Sequence, residues 1–161
     1  MTRVVARLVA AGGGAGFSPI APGTAGSLAG LALGAVLLGQ SRAALAGGVL
    51  AATAVGFWAI LAATGQPWRG TKTGAQDDPG WVVIDEVAGQ MLALLAVPRP
   101  CPLWVIAAFA LFRLFDIAKP GPIGWADRQG GAAGIMGDDI FAGAAAALVL
   151  LAIRAILGGG R

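Results

Sequence analysis

Residues 43–64 run for 22 residues without a charge, which as a helix is about 33 Å, enough to cross the hydrocarbon core of a bilayer. Such a stretch offers water no polar face, so it commits the chain to a membrane. The rest of the 161 residues agrees: 57% are hydrophobic and 27 more are glycine, whereas only 12% are charged, about half the share of an ordinary soluble domain. Mean hydropathy is +0.79. So few charges cannot cover so small a globule, which rules out a disordered chain and argues against a water-soluble monomer.

Four further apolar stretches flank this one, at residues 24–39, 81–97, 102–118 and 135–157, separated by Gly, Pro and charge. The expectation is an all-α, polytopic membrane protein of about five apolar helices, forming one domain over residues 1–161. Thr24 or Ser27 stands where a residue capping the first helix is expected. The start carrying Arg3 and Arg7 resembles a signal peptide, but Gly12-Gly13-Gly14 interrupts its apolar core, so it is expected to be retained. Alternating five spans places Arg3, Arg7, Arg69, Lys72, Lys119 and Arg128 on one side and Arg42, Arg99 and Arg161 on the other. By the positive-inside tendency the first side is cytoplasmic. Trp68, Trp81 and Trp104 read as anchors at the two interfaces.

Charge and special residues exclude several functions. Net charge is +3 from eleven basic and eight acidic residues, with no basic cluster of the kind that binds nucleic acid; a mild cationic excess suits anionic lipid headgroups. One cysteine, Cys101, and no histidine exclude an internal disulfide, the usual zinc sites, a phosphohistidine and a Ser-His-Asp triad. Any metal must be hard and oxygen-bound.

All eight acids lie between residues 77 and 139. Asp77-Asp78-Pro79-Gly80 reads as a solvated turn. With five spans, Asp85 and Glu86 begin the third helix, Asp116 ends the fourth, and Asp138 and Asp139 begin the fifth, all at the cytoplasmic face. Five carboxylates at mid-bilayer would cost about 12–17 kcal/mol on the insertion scale, as much as a whole domain's stability of about 5–15 kcal/mol. They are therefore expected to gather at headgroup level around a cation. Both Asp85 to Gly89 and Asp139 to Gly143 have the form Asp-x-x-Ala-Gly, which sets a small residue one turn after each acid and lets two helices approach. Acids at helix starts also complement the dipole, but Asp116, at a helix end, does not. Arg113 and Lys119 flank Asp116, and the Gly-rich loop from Gly121 to Gly137 can bring backbone amides to an anion. These residues point to metal-dependent phosphoryl transfer on a lipid. An ion or proton carrier is the alternative, since it also uses intramembrane acids.

Four segments in order, Ser18-Pro19-x-x-Pro22-Gly23-Thr24-x-Gly26-Ser27, Asp85-Glu86-x-x-Gly89, Phe112-Arg113-x-Phe115-Asp116-x-x-Lys119-Pro120-x-Pro122-Ile123 and Gly134-Ile135-Met136-x-Asp138-Asp139-x-x-Ala142-Gly143, closely resemble the phosphatidylglycerophosphatase A family over residues 13 to 150. The resemblance implies a helical enzyme of the bacterial cytoplasmic membrane that uses Mg2+ to hydrolyse phosphatidylglycerophosphate to phosphatidylglycerol, with its site facing the cytoplasm. Its partners are then the phospholipid substrate and membrane lipids, with no nucleic acid; oligomeric state is not indicated. Joined to the residue reading, it assigns Asp85, Glu86, Asp138 and Asp139 to the metal. Asp116, Lys119 and Asp85 become catalytic, and Thr24, Ser27, Arg113 and Arg128 bind the phosphate. Water positioned by Asp116, or Asp116 or Asp85 itself, is an equally compatible nucleophile.

Overall fold

The computed structural model describes residues 2–70, 79–98 and 101–158. Among these the secondary structure is entirely helical: α1 (Thr2–Ala10), a 3-10 segment (Gly12–Phe17), α2 (Pro22–Gln40), α3 (Arg42–Thr64), α4 (Ile84–Leu94), α5 (Pro102–Ala118), α6 (Pro122–Asp127) and α7 (Gly131–Ile156). Lys72, Asp77 and Asp78, with the turn read there, lie outside the described residues, as do Arg99 and Arg161.

Among the described residues three helices, α2, α3 and α7, are long and apolar enough to cross a membrane, against the expected count of about five. The third apolar stretch forms only an 11-residue helix, α4, about 16 Å long. Nine of its residues are buried, and it packs against α2, α3, α5 and α7. It is apolar because protein surrounds it, and apolarity alone does not separate that case from a lipid-facing span. The fourth stretch, α5, has 17 residues, about 25 Å against a hydrocarbon core of about 30 Å.

The ends of the helices are fixed by identifiable groups. Pro22 starts α2 after Ala21, which adopts a left-handed conformation (φ 48°), and no side chain caps it, so neither Thr24 nor Ser27 takes the expected capping role. Ser41 caps α3 by accepting the Ala44 amide at 2.9 Å. Just past the C-terminal end of α4, the Arg42 guanidinium donates to the carbonyls of Leu95, Val97 and Pro98 and ties the chain leaving α4 to the start of α3. Helix α7 begins at Gly131, four residues before the expected 135, because the Ala132 and Ala133 amides find the carbonyls of Pro67 and Trp68.

The N-terminal segment holds the start of α4. Helix α1 packs on α3, and its last carbonyl, at Ala10, accepts the Val83 amide at 2.9 Å. The glycine run that follows turns through three positive-φ residues, Gly12, Gly13 and Gly14, a path that glycine alone takes readily. It lets Gly16 lie against the Trp81 backbone, with Arg7 over the Trp81 ring.

Candidate active site

Four elements converge on one cavity of about 210 Å3: the start of α2 (Pro22, Gly23), the approach to α4 and its first turn (Gly80, Val82, Asp85, Glu86), the end of α5 (Asp116, Lys119) and the third turn of α7 (Asp138, Asp139). All five carboxylates singled out from the sequence line it. Asp138 and Asp139 do not begin their helix, however. They lie seven and eight residues past Gly131, about 10–12 Å along the axis, too far for an interaction with the helix dipole, which fades after the first turn.

Helix α4 and helix α7 bring their acids together through glycine. A Cβ on Gly89 would lie 2.5 Å from the Asp139 carbonyl oxygen, and one on Gly143 would collide with the Gly89 carbonyl. The repeated Asp-x-x-Ala-Gly pattern is this contact. The start of α2 closes in similarly: a Cβ on Gly23 would lie 2.6 Å from Glu86 Oε1.

One wall of the cavity is a carboxylate trio. Asp85, Glu86 and Asp139 each place an oxygen within 4.8 Å of the others. Asp139 is buried among Glu86, Asp116 and Asp138, while its Oδ1 has no hydrogen-bond partner. Carboxylates this crowded repel one another, and a cation among them offsets that repulsion. The donors are hard oxygens, the set that a divalent ion such as magnesium takes. The trio can therefore hold a metal.

Two cations pair with carboxylates of the lining. Arg113 Nη1 donates to Asp116 Oδ2 at 2.5 Å and to Ser27 Oγ at 3.3 Å. Lys119 Nζ meets Asp127 Oδ1 and Asp138 Oδ2, each at 2.5 Å. Burial opposes the Lys119 charge, but Asp138 and Asp127 outweigh it and raise its pKa above the usual lysine range. Its backbone is left-handed (φ 45°), a conformation that costs a non-glycine residue energy and persists where surrounding contacts hold it.

A cavity that joins carboxylate oxygens able to hold a metal with a carboxylate-paired lysine suits a phosphomonoester, and the comparisons with known proteins bear on it directly. Residues 8–154 match the family model described as phosphatidylglycerophosphatase A. The chain belongs to the phosphatidylglycerophosphatase A family. It is 40% identical to a Haemophilus influenzae protein and 36% identical to an Escherichia coli protein, both named phosphatidylglycerophosphatase A, over 91% and 89% of this chain and 87% and 80% of theirs. A Bacteroides thetaiotaomicron protein with the provisional name phosphatidylinositol-3-phosphatase is 37% identical over 94% of both chains. No solved structure matches significantly. As a member of the phosphatidylglycerophosphatase A family, the protein is a lipid phosphatase with membrane-spanning helices.

The remaining expected residues of this phosphatidylglycerophosphatase A family site are placed differently. Asp138 lines the cavity, but its Oδ2 is taken by Lys119 and its Oδ1 by the Asp139 amide, so it stands apart from the trio. Ser27 is fully buried and donates to the Gly23 carbonyl, which sets it behind Arg113 as a support. Thr24 is half-buried and Arg128 exposed, and neither lines the cavity. Sequence reasoning missed Asp127, which α6 carries back onto Lys119, and Gly23 as part of the cavity wall. The Ser-Pro-x-x-Pro-Gly break was a signal for Gly23; nothing in the spacing marked Asp127.

Proposed function

We propose that the protein hydrolyses the terminal phosphomonoester of phosphatidylglycerophosphate, releasing phosphatidylglycerol and inorganic phosphate, in the bacterial cytoplasmic membrane with its site facing the cytoplasm. The observation that carries this reading is the cavity that sets the Asp85, Glu86 and Asp139 trio beside Lys119, with Arg113 paired to the lining Asp116. Family membership and the names of two relatives support the substrate.

Asp85, Glu86 and Asp139 would hold magnesium, whose charge would polarise the phosphoryl group. Lys119 and Arg113 exchange part of their carboxylate pairing for phosphoryl oxygens and take up the charge that develops there. Ser27 keeps Arg113 in place. Asp116 orients the attacking water and accepts its proton as the new P–O bond forms; the bond to the glycerol oxygen breaks, and that oxygen takes a proton to leave as the hydroxyl of phosphatidylglycerol. Asp138 and Asp127 hold Lys119 at the required position.

The test is phosphate release by the detergent-purified protein from phosphatidylglycerophosphate, with magnesium and with excess chelator, beside phosphatidic acid and phosphatidylinositol 3-phosphate. Magnesium-dependent release from the first lipid, and little from the others, is expected. Release from phosphatidylinositol 3-phosphate alone would overturn the substrate, and unchanged release under chelation the metal. Ion flux in sealed vesicles without any lipid turnover would restore the carrier reading.

A further inference from the structure

A second cavity, of about 360 Å3 and apolar throughout, lies beside the acidic one. The two share a partition. Asp116 and Lys119 line the acidic cavity, and their chain neighbours Phe115 and Pro120 line the apolar one. On α7, Asp138 and Asp139 line the first, whereas Phe141, Ala145 and Leu148 line the second. The spacing 141, 145, 148 keeps to one helix face and carries the groove about 10 Å along α7, away from the acids. Trp125 stands with its ring edge against Phe141 at 6.5 Å and is itself half exposed, as an indole is where apolar and polar surroundings meet.

We infer that this groove seats an acyl chain of the same lipid molecule whose phosphate enters the acidic cavity. The inference rests on the lipid phosphatase reading above. A phospholipid phosphomonoester needs a charged compartment and an apolar one in contact, and the Phe115–Asp116 and Lys119–Pro120 steps of the chain supply that junction. A smooth lipid-facing helix surface would meet any acyl chain equally; a groove that adjoins the phosphate cavity across the Phe115–Asp116 and Lys119–Pro120 steps meets the chain of the bound substrate. The occupant is therefore the substrate's own chain, and the groove sets a preference for lipid over soluble phosphomonoesters.

Two measurements decide it. In the first, Ala145→Phe and the milder Ala144→Leu narrow the groove, and kcat/KM is compared for dioleoyl phosphatidylglycerophosphate and its deacylated headgroup. The preference for the lipid is expected to fall at least tenfold in Ala145→Phe; an unchanged ratio overturns the inference. In the second, which needs no variant, phosphatidylglycerophosphate with a photoreactive acyl chain labels the wild-type protein in chelator. Labelling between 141 and 148 is expected to be displaced by unlabelled phosphatidylglycerophosphate and not by phosphatidylcholine, whereas labelling at the exposed α5 residues Leu103 and Ile106 responds to neither selectively. Equal displacement everywhere overturns the groove. If the wild type cleaves no lipid phosphomonoester, the phosphatase reading fails separately, and displaceable labelling still reports the groove.

Discussion

The glycine contact between α4 and α7 sets the distance between the two halves of the trio that can hold a metal, so a single methyl group tests the whole arrangement. In Gly89→Ala the new Cβ lies 2.5 Å from the Asp139 carbonyl oxygen and 2.7 Å from a Phe112 ring carbon, about 1 Å inside ordinary van der Waals separation. Neither neighbour yields easily: one is backbone of the helix carrying Asp139, the other a fully buried ring. Helix α7 must move, and Asp139 moves with it. Overpacking of this kind costs roughly 1–3 kcal/mol in stability, and a displacement of about 1 Å in a catalytic group costs on the order of 100-fold in rate. The assay pairs magnesium-dependent phosphate release with thermal unfolding in detergent. Gly47→Ala is the control, because a Cβ there meets nothing within 4 Å and alanine favours the helix by up to about 1 kcal/mol. A Gly89→Ala protein that turns over within threefold of wild type, or a Gly47→Ala protein that loses as much, would refute the reasoning.

Three further outcomes follow from the same geometry. Asp139→Asn removes the charge of one trio member and is expected to lower turnover by on the order of 100-fold or more while raising the magnesium concentration for half-maximal rate; unchanged magnesium dependence would remove Asp139 from the metal. Lys119→Met leaves Asp127 and Asp138 without their shared cation, so both turnover and unfolding temperature should fall, with Lys119→Arg recovering more stability than activity. Arg42→Ala breaks three carbonyl contacts at the far end of α4, costing about 1–3 kcal/mol as read from thermal unfolding, and KM for the lipid should stay within twofold.

The site was more legible than the fold, for a physical reason. In a chain with 12% charged residues bound for a membrane, each carboxylate is expensive to bury, so its position carries information that apolar residues do not. Asp85, Glu86, Asp116, Asp138 and Asp139 could be grouped before any coordinates, and one cavity holds all five. The small residues one turn after Asp85 and Asp139 likewise marked where two helices meet. Helix lengths were not legible in this way: the 81–97 stretch is as apolar as a span, yet only Ile84–Leu94 is helical, because helix packing rather than lipid surrounds it. The start of α7 was hidden for another reason, since the amides of Ala132 and Ala133 are satisfied by Pro67 and Trp68, more than sixty residues away.

The same economy of charge explains why the cations escaped a full reading. Arg113 and Lys119 were recognisable from their places around Asp116, but their partners were not. Ser27 sits 86 residues from Arg113, and Asp127 reaches Lys119 only because α5 ends in a left-handed turn and α6 folds back, with Gly124 close against the Lys119 carbonyl. A buried cation beside a metal site must be neutralised while the phosphate is absent and released when it arrives. Asp127 and Asp138 do the first by sharing Lys119 between two helices, and neither belongs to the trio that can hold a metal. In the proposed reaction, exchange of phosphate for carboxylate at Lys119 would fall on Asp127 and Asp138, while Asp85, Glu86 and Asp139 would keep the metal.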